Sequence, residues 1–553
     1  MARLRRFGWP FVASVFLGGA FLSAIVRGGT VSVVVLGALL VVAALVMLLR
    51  FGPERLHLHA PASVQPVVRF IQAYPWRIIA VVFFVASVVL FFTDVEPSFE
   101  PPSERIVFVV GLDDTEMLVM REILDELEPE LGAEVFLMNI DPSRLVARLD
   151  SMVASRDMKW DLIAVDNNIL GLLAAKGLIE ELSELTERDA VIPEPLLPSV
   201  RPLLDFEDRE GIRHFYFAPF RVNVRIGFYN KSQFDEDNYN LDPPRTWTEL
   251  LDVAKAFKEK GGPGRATIAG FPGPPTAVTV FEFVTAAGGN PLTLDDDGSR
   301  EAFDFLKQLE PYLAPQYVDT KFDTANDLLM DDQVYLVSNW TFGIKVVIID
   351  GQKEELNVYS GWKGPVDEVH VLGGDLLAVP KGAPHPDKAI ELIKLLQTSE
   401  TQRAFLSELF WLPVRLDALT RVPLDLEPHF AAVNEALSLS KARPTIPQWP
   451  LVEDCLAGAF QALIVGGGDI GSLGEWSSIL KEISSTEYVG HRVRIGDIFR
   501  DTFDSIASTY NTTPDVLAKV NRTTTRAALT NGQILLVLPG LQETCSSIVS
   551  DGS

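Results

Sequence analysis

Cysteine is nearly absent: the 553 residues hold two, Cys455 and Cys545. Two thiols cannot build a disulfide framework or a cysteine-ligated metal site. The expectation is a buried Cys455 on a helix and an exposed thiol at Cys545. Histidine is scarce as well, with seven. Only His57 and His59 stand close together, and no H-E-x-x-H occurs, so a zinc hydrolase has no support. Lysine is missing from residues 1–93, which carry eight arginines and a single acid, Glu54. That head is therefore +7, and with a whole-chain charge of −26 the remaining residues carry −33. A body so acidic offers no cationic face to phosphates, which excludes nucleic acid as a partner. No phosphate loop or nucleophile elbow is present, and no cofactor or metal is expected. With 47% hydrophobic and 22% charged residues the chain is not globally disordered.

The head holds three apolar runs, Phe7–Val26, Val31–Leu49 and Ile78–Thr93. A helix needs ~20 residues to cross the hydrocarbon of a bilayer. The first two fit; the third is short but follows the interfacial anchor Pro75-Trp76-Arg77. The first run reads either as a span or as a cleaved signal peptide. The second run begins after only Arg27-Gly28-Gly29-Thr30, which makes a hairpin of two spans the simpler reading. Arg3, Arg5 and Arg6 precede the first run, and Arg50, Arg55, Arg69 and Arg77 lie between the second and third. Positive charge stays inside, so three spans place everything after Thr93 outside the cytoplasm. The expectation is a multi-pass protein of the cell membrane, its main body extracytoplasmic and held by helices rather than a lipid. A proline-rich linker, residues 94–103, follows.

Residues 104–484 alternate strand-like and helical segments. Arg105–Val110, Glu134–Met138 and Asp161–Val165 are short apolar strands; Thr115–Leu131 and Pro142–Ala154 have helical periodicity. His214–Phe220 and Val222–Tyr229 are strands flanking Arg221, and Val334–Asn339 and His370–Pro380 are strands farther on. Ala302–Leu309, Thr324–Met330 and His385–Leu396 are helices. This alternation predicts an α/β fold with parallel sheets covered on both faces. Ligands of such sheets sit beyond the strands' carboxyl ends, here Gly111–Asp114 and Asp166–Asn168.

Local phrases in this region resemble, in order, those of the family-one solute-binding proteins of bacterial ABC importers, the sugar-binding type. They are Val165-Asp166 before Leu173-Ala174-Ala175-Lys176-Gly177-Leu178; Phe217-Ala218-Pro219-Phe220 with Gly227-Phe228-Tyr229-Asn230-Lys231; Pro244-Arg245-Thr246-Trp247-Thr248-Glu249-Leu250; Gly288-Gly289; Ser338-Asn339-Trp340; Gly373-Gly374 with Leu376–Pro380; and Leu412-Pro413-Val414-Arg415. The resemblance implies a two-lobe, periplasmic-binding-protein-like (type II) domain closing over a ligand. Sugar sites combine an aromatic face with carboxylates and amides for the hydroxyls. Trp340 and Trp411 are the aromatic candidates. Trp340 reads equally as a core or hinge tryptophan, whereas Trp247 begins a helix and reads as packing. The polar candidates are Asp113, Asp114, Asp166, Arg221, Asn223 and Asp375. The aspartates can instead be helix caps, and Asp375 can simply pair with Arg221. An arginine where sugar-binding relatives often carry Asp or Thr points to an acidic sugar as an alternative to a neutral one. No catalytic set emerges, and an enzyme is not expected.

Residues 488–540 resemble a LysM domain, a small βααβ unit. The resemblance rests on Val493-Arg494-Ile495-Gly496-Asp497, Phe503-Asp504-Ser505-Ile506-Ala507-Ser508-Thr509-Tyr510, Val516-Leu517 with Asn521, and Leu529-Thr530-Asn531-Gly532-Gln533 running to Pro539. It implies binding of cell-wall glycan, with Gly496, Asp497 and Leu529 as candidates. Two departures stand out: four extra residues, Ile498–Asp501, and one extra between Gly532 and Pro539. Residues 541–553 are expected to be disordered. Together these implications give a membrane-anchored binding protein that delivers a carbohydrate-like ligand to an ABC permease. The alternative is a ligand sensor or wall-associated scaffold without transport.

Overall fold

The computed structural model describes residues 104–548, apart from Glu236, Gly261, Arg421, Pro423, Asp425, Asp497, Ile498 and Ser547. The three apolar runs, the linker and residues 549–553 lie outside the described residues. Among the described residues no helix is long and apolar enough to cross a membrane.

Strand β1 (Glu104–Val110) is followed by α1 (Asp114–Leu131), β2 (Ala133–Asn139), α2 (Pro142–Ser155), β3 (Leu162–Asp166) and α3 (Leu170–Ala175). The apolar run of β1 leaves Ile106, Phe108, Val109 and Val110 fully buried, as suits a strand covered on both faces. β2 alternates buried and exposed positions, the mark of a strand at the sheet edge with one face wet. Asp113 caps α1 in a capping box with Glu116, and Gly132 ends the helix at φ +66°.

A hairpin, β4 (Asp205–Glu207) and β5 (Arg213–Phe215), leads into the long strand β6 (Ala218–Asn230). Beyond it come α4 (Trp247–Glu259), β7 (Ala266–Thr267), α5 (Pro274–Ala286), α6 (Asp297–Leu309), α7 (Phe322–Met330), β8 (Leu336–Trp340), β9 (Leu356–Tyr359) and β10 (His370–Ala378). Then follow α8 (Pro386–Leu396), α9 (Glu427–Ser438), β11 (Ser440–Ala442), α10 (Trp449–Phe460) and α11 (Leu473–Ser485).

The strands form one sheet in the order β2-β1-β3-β10-β6-β8-β7, with β11 beside β10 and β9 beside β6. It is mixed, not parallel throughout as the alternation predicts. β1 is parallel to β2 and β3, and β7 to β8, but β10 is antiparallel to β3 and β6, and β6 to β8 and β9. The antiparallel pairs arise where β6 and β10 cross between two lobes. β6 pairs with β10 as far as Val224 and with β8 from Arg225 onward. Arg221 does not interrupt this strand, which runs straight through it.

The tail folds as β12 (Val489–Arg492), α12 (Phe503–Tyr510), α13 (Pro514–Val520) and β13 (Ile534–Val537), with β12 and β13 antiparallel. Val493, Phe503, Ile506, Leu517, Leu535 and Val537 make its own small core. Its other side, including Val516, Val520, Leu536, Leu538 and Leu541, joins the core of the main body.

Two expectations about the tail are corrected here. Cys545 is buried, not an exposed thiol, and forms a disulfide with Cys455 of α10 across a separation of 90 residues. Cross-linking so long a loop removes about 4.6 kcal/mol of unfolded-chain entropy on the loop-closure account. Residues 541–546 are ordered against the body, with Leu541 and Cys545 fully buried.

Lys176, just past α3, is fully buried and paired with Asp150 of α2. Burial pushes the Asp150 carboxyl above its ordinary range and the Lys176 amine below its own, while their mutual attraction opposes both shifts. Removing one partner strands a buried charge, which costs about 3–5 kcal/mol, whereas an apolar pair of similar volume is close to neutral. Lys176→Met should therefore lower the urea midpoint strongly. Lys176→Met with Asp150→Leu should recover most of the loss in the same denaturation measurement.

Candidate functional site

The period-two geometry of β6 puts Arg221, Asn223 and Arg225 on one face of the strand that crosses between the lobes. Arg221 stands opposite Asp375 of β10 in the ladder. Its Nε donates to Asp375 Oδ2 at 2.7 Å and its Nη1 to Glu116 Oε1 at 3.2 Å. The guanidinium lies 4.0 Å from the ring centroid of Trp411, a cation–π contact. Trp411 Nε1 donates to the same Glu116 Oε1 at 2.8 Å. Burial, then the pull of Arg221 in the opposite sense, sets the Asp375 carboxyl, whose net direction is above its ordinary value. The Arg221 side chain is 12% exposed and that of Asp375 17%. Trp411 is 1% exposed.

This cluster corrects two expectations. Arg221 does not wait for an anion: its positive charge faces two carboxylates of the protein. Trp411 is no open aromatic face, because Arg221 covers it and Phe220 and Phe405 pack on it at 5.6 and 5.4 Å.

Asp166 ends β3 with its side chain 45% exposed. Its Oδ1 accepts from the Asn168 backbone N–H and from Arg443 Nη2, each at 2.9 Å. Arg443, four per cent exposed, also donates to Asn167 Oδ1. Asn167 in turn donates through Nδ2 to the Leu372 carbonyl at 3.0 Å. The end of β3 is thus stitched to the crossing strands. Asn223 is half-buried and accepts from Thr341 Oγ1 at 3.3 Å. Trp340 ends β8, is 7% exposed, and meets Phe322 edge-on at 5.4 Å. Its ring lies against Gly373, where an added Cβ would come within 2.8 Å of it. Trp340 is thus largely a hinge-packing residue.

Asp113 and Asp114 do not join the cluster. Asp113 is the helix cap, accepting from the Glu116 N–H at 2.8 Å, and Asp114 is an exposed first-turn residue. Trp247 is a packing residue, stacked on Phe305 at 4.6 Å. Sequence reasoning missed Glu116, Arg443 and Arg225. Glu116 is the third residue of a capping box, so its position near a strand end was visible. Arg443 sits in Ala442-Arg443-Pro444, an extended stretch after a short strand. Arg225 continues the Arg221-x-Asn223-x alternation; buried, it pairs with Glu282 at 3.1 Å and donates to the Ser338 carbonyl at 2.9 Å.

In the tail, Gly496 donates to the Phe499 carbonyl at 2.8 Å, and Leu529 is half-buried on the tail's own core. Asp497 lies outside the described residues. The Ile495 N–H donates to Asn531 Oδ1 at 2.9 Å, which brings the loops carrying Gly496 and Leu529 together. Elsewhere, a surface hollow of about 400 Å³ beside Trp247, Arg300 and Asp304 contains none of the hinge residues.

Residues 122–432 match the family model of the bacterial extracellular solute-binding proteins. An uncharacterised ABC transporter extracellular-binding protein of Pyrococcus horikoshii is 27% identical over 263 residues, 45% of this chain and 57% of that protein. The mannitol-binding protein of Pseudomonas aeruginosa is 26% identical over 149 residues, 27% of this chain and 32% of its own length. The chain thus spans between about a third and somewhat over half of these curated relatives. Among solved structures, a solute-binding protein of Thermotoga lettingae bound to α-D-tagatose has a TM-score of 0.60 at 19% identity, covering 69% of this chain and 100% of that one. A maltose-bound protein of T. maritima has a TM-score of 0.59 at 18% identity, covering 69% and 99%. These likenesses establish the two-lobe fold. With the family model spanning more than half of its residues, the chain belongs to the bacterial extracellular solute-binding protein family, a family of binding proteins, not enzymes.

Proposed function

We propose that this protein captures a neutral sugar or polyol between its lobes and passes it to an ABC permease. The observation that carries the reading is the crossing of β6 and β10, where Asp166, Asn223, Asp375 and Trp340 gather in a mixture of carboxylate, amide and aromatic ring. Such groups suit hydroxyls, which both donate and accept. Pairing of Arg221 with Asp375 and Glu116 favours a neutral ligand over an acidic sugar. Relatives described as binding mannitol, tagatose and maltose support the same class.

The three apolar runs would hold the chain in the membrane, with the acidic body outside. The Cys455–Cys545 bridge supports that placement, since disulfides persist in oxidising compartments. The tail, with its LysM-like phrases and βααβ order, would hold the body near cell-wall glycan. A second reading, a sensor or wall scaffold without transport, draws on the same features: three spans exceed what anchoring alone requires.

Three measurements test this. Calorimetry on the full chain in detergent, with mannitol, ribitol, maltose and glucuronate, should find a neutral compound bound and glucuronate not. Trp340→Phe should weaken that binding about tenfold, a change of ~1.4 kcal/mol. Trp247→Phe should instead lower the melting temperature at unchanged affinity. Preference for glucuronate would overturn the neutral-ligand reading. For the tail, the full chain should be retained on insoluble peptidoglycan or chitin, and salt should weaken it little, since the contacts are to uncharged sugar. A chain ending at Glu487 with Cys455→Ser should flow through. For topology, Ser103→Cys should react with an impermeant thiol reagent on intact cells. The native cysteines, being paired, stay silent; protection until lysis would place the body inside.

A further inference from the structure

We infer that the C-terminal module is a brace across both lobes, fixed to the second and latched to the first, and that the latch biases how far the lobes open. The two attachments differ in kind. α10 belongs to the second lobe, because it packs on α5, whose Thr279 and Glu282 hold Arg225. To α10 the module is tied by the Cys455–Cys545 disulfide, by Lys519 to Asp454 at 2.9 Å and by Arg522 to Glu453 at 2.9 Å. Glu453 is 5% exposed, so its ion pair is sheltered from water.

Among the described residues, the module makes two side-chain hydrogen bonds to the first lobe and no covalent link. Gln533 Nε2 donates to Asp150 Oδ2 at 3.2 Å, on the carboxylate that also holds Lys176. The neighbouring Gly532 lies against the Ala154 carbonyl at the end of α2. Arg209, in the β4–β5 turn, donates to the Tyr488 carbonyl at 3.0 Å and covers the Tyr488 ring at 5.4 Å. The β4–β5 hairpin is itself anchored in the first lobe, by Arg188 to Asp205 at 2.6 Å and by His214 to Glu181 at 3.1 Å.

Rotation of one lobe against the other about β6 and β10 must therefore carry the module with the second lobe and part it from the first. Contacts that exist in one lobe arrangement and not in another shift the balance between them by their own free energy. A charge-assisted hydrogen bond together with an arginine–carbonyl contact is enough for a shift of about threefold or more. The inference rests on the two-lobe hinge and is independent of which ligand binds.

The test is an inter-lobe distance in the ligand-free full chain in detergent. Spin labels at Glu130→Cys and Asp304→Cys, both exposed, report on the first and second lobes. Gln533→Glu keeps the acceptor that holds the Thr530 N–H at 3.0 Å while setting a carboxylate against Asp150. Combined with Arg209→Ala, it should move or broaden the distance distribution by about 3 Å or more, the scale of a hinge motion. Lys519→Ala, on the fixed side, should leave the distribution unchanged, because the disulfide and the Arg522 pair remain. If melting shows that Gln533→Glu unfolds the module, Arg209→Ala alone, at an exposed position, must produce the shift. A distribution in Arg209→Ala and in the double variant that superimposes on the unmodified chain overturns the inference.

Discussion

Strand β6 is hydrogen-bonded to β10 through Val224 and to β8 from Arg225, so the two lobes meet within a single peptide unit. A strand shared by two lobes cannot bury both faces uniformly. Val222 and Val224 are buried on one face, and Arg221, Asn223 and Arg225 share the other. The polar face then requires partners, and each lobe supplies them. Arg221 meets Glu116 and Asp375, Asn223 meets Thr341, and Arg225 meets Glu282 and the Ser338 carbonyl. Burial depresses the basicity of Arg225 while Glu282 opposes that shift; the hydrogen bonds are what keep a charged group acceptable there.

The same crossing explains the glycines opposite β6. Gly373 faces Asn223 in the ladder, and a side chain there would strike the Trp340 ring. Gly374 adopts φ +130°, a conformation that side chains oppose, with the Arg221 carbonyl against it. Gly373 thus lets an indole from the second lobe rest on a strand shared with the first, and Gly374 lets β10 approach the β6 backbone. The packing couples ring position to strand position: movement of β10 relative to β8 displaces Trp340. A residue placed there senses lobe geometry directly.

Much of this was legible from residue order, and the failures have physical causes. β1, β3 and α1 declare themselves because apolar runs and a capping box are local signals. The pairing of Arg221 with Asp375 was open as one alternative, since both are polar residues in otherwise apolar strands. The antiparallel pairs were not visible, because strand direction at a crossing depends on chain path and not on periodicity. Arg221 looked like a break between two strands, yet a buried-strand arginine with two carboxylate partners breaks nothing. The disulfide was invisible because two cysteines 90 residues apart have no spacing signature. Only the docking of α13 on α10 brings them together. Trp411 was misjudged for a related reason: an aromatic beside Leu412-Pro413 reads as exposed until a cation covers it.

The body carries −33 across residues 94–553, and such a surplus raises the cost of holding acidic surfaces together. Where the module meets the second lobe, the cations are on the module and the carboxylates on α10: Lys519 and Arg522 face Asp454 and Glu453. Where it meets the first lobe, Asp150 is already neutralised by Lys176 and takes only an amide. The strong electrostatic match is therefore spent on the side that a disulfide also secures. The weaker attachment, an amide–carboxylate hydrogen bond and an arginine–carbonyl one, lies on the side that hinge motion must break. An arrangement with these strengths exchanged would resist lobe rotation about β6. The one present resists detachment of the module while leaving the hinge its freedom.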